Sequence, residues 1–226
     1  MAEKITEKKS ASESLNGFLT NYRTAVIAVV SIIIAAVVAY SVITAVLAKS
    51  VEKGLSDIDG ITYTLTNKSS DLQESDLESR RTAAMEKLNP LLSKGGVVGV
   101  RANMLAADIS FEKKDYEKAR SYWLKAADDG KKSYTAPLAY FNAGVCSEQL
   151  NDADKALIYY QKAADAPEFF EAEHALFSIG RVKEGKQDFK GASEAYQKLN
   201  DKYASGSWAQ LAKSRLIALK NAGSIQ

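Results

Sequence analysis

Residues 139–166 read AYFNAGVCSEQLNDADKALIYYQKAADA, and this stretch decides the fold. It divides into two short helices around the polar turn Leu150-Asn151-Asp152. The first carries Tyr140 and, four residues on, Gly144. The second carries Ala156, Tyr160 and Ala163, and ends before Pro167, whose ring and missing N–H stop a helix. Small residues at Gly144 and Ala156 predict two antiparallel helices in close approach. Tyr160 is then expected to fill the space one turn along, against the next helix pair.

The pattern recurs in both directions. Ala192 stands 36 residues after Ala156, with Gly180 twelve residues before it and Tyr196 four after it. Ala119 stands 37 residues before Ala156, with Ala107 in the place of Gly144 and Trp123 in the place of Tyr160. The shared order (aromatic, small, turn, small, aromatic, small, proline) resembles the tetratricopeptide repeat, a helix-turn-helix unit of about 34 residues. The resemblance implies an all-α chain whose helix pairs stack as a solenoid. Ala83, 36 residues before Ala119, extends the register to a degenerate first repeat.

Composition narrows the function. Lys+Arg 30 against Asp+Glu 28 leaves a net charge of +2 over 226 residues. The signs are interspersed, without the basic stripe that neutralises phosphates, so nucleic acid is not expected as a partner. A single cysteine, Cys146, excludes an internal disulfide framework and a multi-Cys metal site. The β-branched runs Ile61-Thr62-Tyr63-Thr64 and Val97-Val98-Gly99-Val100 are too short to argue for a sheet.

From Ala25 to Ala48 no charged residue occurs. As a helix this stretch spans about 36 Å, slightly more than a bilayer core of about 30 Å. Residues 25–48 are therefore expected to form a tilted transmembrane helix. A signal peptide ending at Val46-Leu47-Ala48 is the competing reading, but the apolar run exceeds the usual h-region of about 7–15 residues. Lys8, Lys9 and Arg23 before the span, against Lys49 and Lys53 after it, favour an N-terminus on the cytoplasmic side.

The expected organisation is a polar tail over 1–24, the span over 25–48, a degenerate first repeat with connecting helices over 49–96, and tetratricopeptide-like repeats with a capping helix over 97–226. Gly54, Gly60 and the β-branched run weaken helix over Lys49–Asn67. Ser69-Ser70-Asp71 with Glu74 reads as a capping box for a helix from about Leu72 to Ser93, bent at Pro90 and ending before Gly95-Gly96. Ser205-Gly206-Ser207 starts a last helix, whose Trp208, Leu211, Leu216 and Leu219 are expected to cover the open end of the stack.

The lead Phe18-Leu19-Thr20-Asn21-Tyr22-Arg23-Thr24-Ala25 into an uncharged span, followed by repeats from Arg101 on, resembles the bacterial ancillary subunit of the Sec translocon. That family is a bitopic inner-membrane protein with a periplasmic tetratricopeptide domain. The resemblance implies a single-pass inner-membrane protein, N-terminus cytoplasmic and repeat domain periplasmic, in contact with the translocon, periplasmic chaperones or secreted clients. The stretch Ala195–Ala209 is also similar to tetratricopeptide proteins of cell-envelope assembly, so a scaffold role there is an alternative. An N-anchored organelle import receptor fits the same layout.

No catalytic, cofactor or metal site is expected. His174 is the single histidine, no phosphate-binding or nucleophile-elbow motif occurs, and Asp128-Asp129 and Asp152/Asp154 read as turn and cap residues. Asn142 alone occupies a place in the Lys/Asn pattern that clamps a C-terminal carboxylate. Cys146 is expected to be buried against its paired helix. The expected working surface is a concave partner-binding groove lined by first helices: Arg101, Met104, Leu105, Asp108 and Phe111, then Phe141, Asn142, Val145 and Gln149, then His174, Phe177 and Arg181. Aromatic, thioether and polar groups in that mixture suit a peptide with apolar side chains. Phe111, Phe141 and Phe177 are expected to form one apolar track, unless they serve as packing between helices.

Overall fold

A computed structural model of the chain describes residues 11–131 and 133–225, all helices and turns. The tail charges Lys4, Lys8 and Lys9, with Glu3 and Glu7, lie outside the described residues. Contacts divide the chain into two compact units, Met1–Glu52 and Lys53–Gln226.

The first unit holds α1 (Ala11–Asn21) and residues 23–52 of α2 (Arg23–Thr66). Helix α2 is long and apolar enough to span a membrane, and none of its most apolar window is buried. Ile27, Ile32, Ile33, Ile34, Val38, Ile43 and Leu47 are all exposed. A helix apolar all round, with no protein covering it, suits lipid better than water.

The second unit begins with residues 53–66 of α2, where helix continues through the β-branched run. Thr62, Thr64 and Thr66 donate their hydroxyls back to the carbonyls of Ile58, Gly60 and Thr62. Ile58 and Ile61 are buried in a cluster with Ala84, Leu88 and Leu91 of α3 (Glu74–Leu92) and Val98, Ala102, Ala106 and Ile109 of α4 (Gly96–Glu112). That packing outweighs the modest helix propensity of Ile and Thr. Val97 to Val100 likewise form the first turns of α4.

Three helix pairs follow. They are α4 with α5 (Tyr116–Asp129), α6 (Thr135–Gln149) with α7 (Ala153–Ala164), and α8 (Ala172–Gly185) with α9 (Phe189–Lys202). Each pair turns the same way. Lys114, Asn151 and Gln187 adopt left-handed backbone, with φ of 59°, 56° and 62°. The next residue is Asp115, Asp152 or Asp188, whose carboxylate accepts from the amide of Lys118, Lys155 or Gly191 at 3.2, 3.2 and 2.9 Å. The same three Asp amides donate to the carbonyls of Ser110, Ser147 and Lys183, closing the end of the preceding helix. Helix α10 (Ser207–Asn221) ends the stack.

Several local expectations shift. The capping box does not form: Ser69–Asp71 is a 3₁₀ turn, and α3 starts at Glu74 after Gln73 without a side-chain cap. Helix α3 ends before Gly95-Gly96 as expected, at Leu92, and the same glycines go on to open α4. Ala83 is exposed, and Ala84 takes the buried place with Leu88 and Leu91 four and seven residues on. Those are the offsets of Ala156, Tyr160 and Ala163, so the first register lies one residue later than the 36-residue spacing gave. In α10, Leu211 is exposed while Ala209, Ala212 and Leu219 are buried, because the last helix approaches through its small residues.

Candidate protein-binding site

Gly144 meets the ring of Tyr160 rather than Ala156. A Cβ on Gly144 would sit 2.7 Å from Tyr160 Cδ1 and Cε1, and a Cβ on Gly180 would strike Tyr196 in the same way. Tyr160 and Tyr196 therefore lie over the glycines of their own pairs, and Tyr160 also packs against α8 of the next pair, as expected. The first pair places Trp123 and Ala107 in the same buried cluster.

These rings carry a polar relay that the sequence reading missed. Tyr160 Oη donates to Glu148 at 2.5 Å, and Arg181 of the next pair donates to both oxygens of Glu148 at 2.7 Å each. One unit on, Tyr196 Oη donates to Glu184 at 3.0 Å, and Arg215 of α10 pairs with the same carboxylate. Burial and the adjacent carboxylate push both phenols well above their ordinary pKa. The signal was present in the shared offset of four residues from Gly144 to Glu148 and from Gly180 to Glu184. The first pair lacks the relay because Phe111 occupies the glutamate place. Arg120 instead reaches Asp152 of the next turn at 3.1 Å.

The residues expected to line one groove fall into several settings. Phe141 is only 8% exposed, with ring centroids 5.4 Å from Tyr160 and 4.7 Å from His174. His174 stacks on Trp208 at 3.9 Å with the planes 10° apart, and Phe177 lies 5.2 Å from Trp208 and 5.5 Å from Tyr196. Burial holds His174 below its usual pKa, against the pull of Glu171. This aromatic line packs α6, α7, α8, α9 and α10 together. Phe111 is outside it, edge-on to Tyr116 at 5.1 Å. The single track through Phe111, Phe141 and Phe177 is thus not formed, because Phe111 is four residues past Ala107 while the others are three before their glycines. Met104 is the residue in register with them.

Arg181 is taken up by Glu148, and Arg101 pairs with Asp59 at 2.7 Å. Val145 is partly buried against the aromatic core, Met104 against the α4–α6 cluster, and Asn142 donates to the Leu138 carbonyl. Gln149 is exposed at the end of α6. Cys146 is fully buried, as expected, in a cluster of α4, α5 and α6 residues against which Tyr159 of the paired helix α7 also packs, and burial pushes its thiol up to about 12. A thiol so protonated and enclosed is no nucleophile.

Leu105 and Asp108 lie elsewhere, in a cavity of about 600 Å³ between the end of α2, the start of α3 and α4. Leu65, Leu77, Leu105 and Ile109 form its apolar wall, and Arg80, Arg81, Asp108 and Glu112 its charged rim. Arg80 donates to the Thr64 and Asn67 carbonyls and so caps α2. Arg81 pairs with Glu74 at 2.6 Å and stands 3.8 Å from Glu112. Asp108 is solvent-accessible, yet the surrounding wall and the charge of Glu112 raise its carboxyl to about 6.

Comparison with known proteins agrees with this architecture. The tetratricopeptide repeat family matches residues 138–168, which cover most of the α6–α7 pair. The chain is similar to a TPR repeat-containing protein of Treponema pallidum (strain Nichols), 32% identical over 152 residues, covering 66% of this chain and 64% of that protein. The chain thus spans less than two thirds of that relative's length. Among solved structures, a Rap protein complexed with competence and sporulation factor matches 58% of this chain and 38% of its own, at 23% identity and a TM-score of 0.45. At that distance the likeness bears on neither ligand nor partner. The chain carries a tetratricopeptide repeat, and such repeats serve as protein-interaction scaffolds.

Proposed function

We propose that this chain is a single-pass membrane protein whose repeat domain binds proteins at the outer face of a bacterial inner membrane. Secreted chains emerging near the Sec translocon, or their chaperones, are the proposed partners. The observation that carries the reading is one chain with two incompatible solvents. An unburied apolar helix continues into a domain that encloses its own core over α3 to α10. A stack of helix pairs presents extended surface to a polypeptide and needs no cofactor to do so. The sequence resemblance to the ancillary translocon subunit supplies the compartment and the client class.

A phosphatase reporter fused after Gln226 tests the topology. Activity is expected only on the far side of the inner membrane, and activity confined to the cytosol overturns the reading. Chemical crosslinking in native membranes, followed by mass identification, is expected to capture translocon components, chaperones or secreted chains.

A further inference from the structure

We propose that the cavity between α2, α3 and α4 is a binding site for a basic amphipathic peptide segment, with aliphatic side chains entering the Leu65–Leu77–Leu105–Ile109 wall and a Lys or Arg meeting Asp108 and Glu112. The inference rests on the protein-binding reading above and names the chemistry of the segment bound. Its basis is charge left over after the internal pairs are made. Arg80 is held by the carbonyls of Thr64 and Asn67, and Arg81 pairs with Glu74 at 2.6 Å and more loosely with Glu112 at 3.8 Å, so neither guanidinium pairs with Asp108. Among the described residues no cation offsets the Asp108 carboxyl. The rim therefore carries an acid pair one helical turn apart, at i and i+4 on α4, where like charges repel.

A positive side chain from a ligand relieves that repulsion and favours the ionised form of Asp108. An acidic segment would add a third carboxylate to the same rim. A purely apolar segment would leave the acid pair unrelieved. At about 600 Å³ the space takes two or three aliphatic side chains but not a folded domain. The hydroxyl oxygens of Thr62, Thr66 and Ser70 at the mouth, whose protons are donated within the chain, can still accept hydrogen bonds from peptide N–H groups.

The test uses the full chain in phosphatidylcholine nanodiscs and a fluorescein-labelled helical peptide of alternating leucine pairs and lysines. Fluorescence anisotropy is read against empty nanodiscs. Binding should weaken tenfold or more in Asp108→Asn/Glu112→Gln and when every peptide lysine is replaced by glutamate. It should strengthen as pH rises through about 6, where Asp108 ionises. Arg80, Arg81 and Glu112 are the other charged groups facing it, and Glu74 pairs with Arg81. The thermal midpoint of the double variant is measured alongside, and an unchanged midpoint attributes the loss to the site. Equal affinity in wild type and variant, or equal binding of the glutamate peptide, overturns the proposal. Capture of protein partners in native membranes by wild type and variant alike, without peptide affinity, would remove the cavity assignment and leave the general reading standing.

Discussion

The α6–α9 stack and the α2–α4 junction are built from the same kind of helix pairing, yet they finish it differently. In the stack, Gly144 and Gly180 each receive a tyrosine ring, the Tyr160 and Tyr196 hydroxyls find Glu148 and Glu184, and these carboxylates find Arg181 and Arg215 from the following unit. The tyrosine, glutamate and arginine groups of that relay are all partnered, while the Thr135 hydroxyl and the Asn200 side-chain oxygen are buried there without one. At the junction leucines replace the aromatics, the ring-over-glycine contact is missing, and a cavity opens beside a carboxylate without a cation. Closed polar accounting makes a rigid element, and an open one leaves capacity for a ligand. The regular repeats form the frame, and the irregular entry holds the cavity proposed above to receive a partner.

The largest expected effects break the frame at its closest approach. Gly144→Ala or Gly180→Ala drives a methyl into a buried tyrosine ring, and should cost about 1–3 kcal/mol or more. Gly54→Ala meets Val98, a smaller side chain than a tyrosine ring though buried and fixed in its rotamer, and should cost about 1 kcal/mol. Urea unfolding of the three variants checks the difference. Equal losses would mean that the junction is packed as tightly as the stack.

The polar relay gives a smaller contrast. Glu148→Ala leaves a buried phenol without its acceptor and Arg181 without its carboxylate, at a cost of about 1–3 kcal/mol. Arg101→Ala removes an exposed pair with Asp59 and should fall within about 0.5 kcal/mol of wild type. A double-mutant cycle between Glu148 and Arg181 should show coupling that the Asp59–Arg101 cycle lacks. No coupling at Glu148 would reduce the relay to a surface contact.

The smallest effect is a pH dependence. Asp108 has a folded pKa raised to about 6 from 3.8, so the folded chain holds a proton that the unfolded chain gives up. The stability it contributes is complete below pH 3.8 and is lost as pH rises to about 6. Asp108→Asn should therefore flatten the melting-temperature difference between those two pH values, relative to wild type. An unchanged difference would mean that the carboxyl is not desolvated by the cavity wall.

Much of the frame was legible because its constraints are steric and local. Offsets between glycine, alanine and aromatic residues survive in the sequence even when the links between units vary by a residue or two. Those same links misled the first register, since Thr82-Ala83-Ala84 offers two equivalent alanines and only tertiary packing chooses Ala84. Contacts across units were less legible. Glu148 and Arg181 are 33 residues apart, and nothing in either neighbourhood announces the other. The groove residues were assigned by position on first helices, which cannot distinguish a ring packed between helices, as Phe141 is, from one facing a partner. The cavity depends on Leu65, Leu77 and Leu105, three ordinary leucines until α2 and α3 bring them together.

The most direct measurement of the frame-and-entry account is site-specific photocrosslinking in native membranes. A photoreactive phenylalanine analogue is placed in turn at Leu77, Leu105, Gln149 and Ile158, and captured proteins are identified by mass. The account predicts partner adducts from Leu77 and Leu105, with little from Gln149 or Ile158 on the regular stack. Adducts confined to Gln149 or Ile158, with none from the cavity positions, would contradict it.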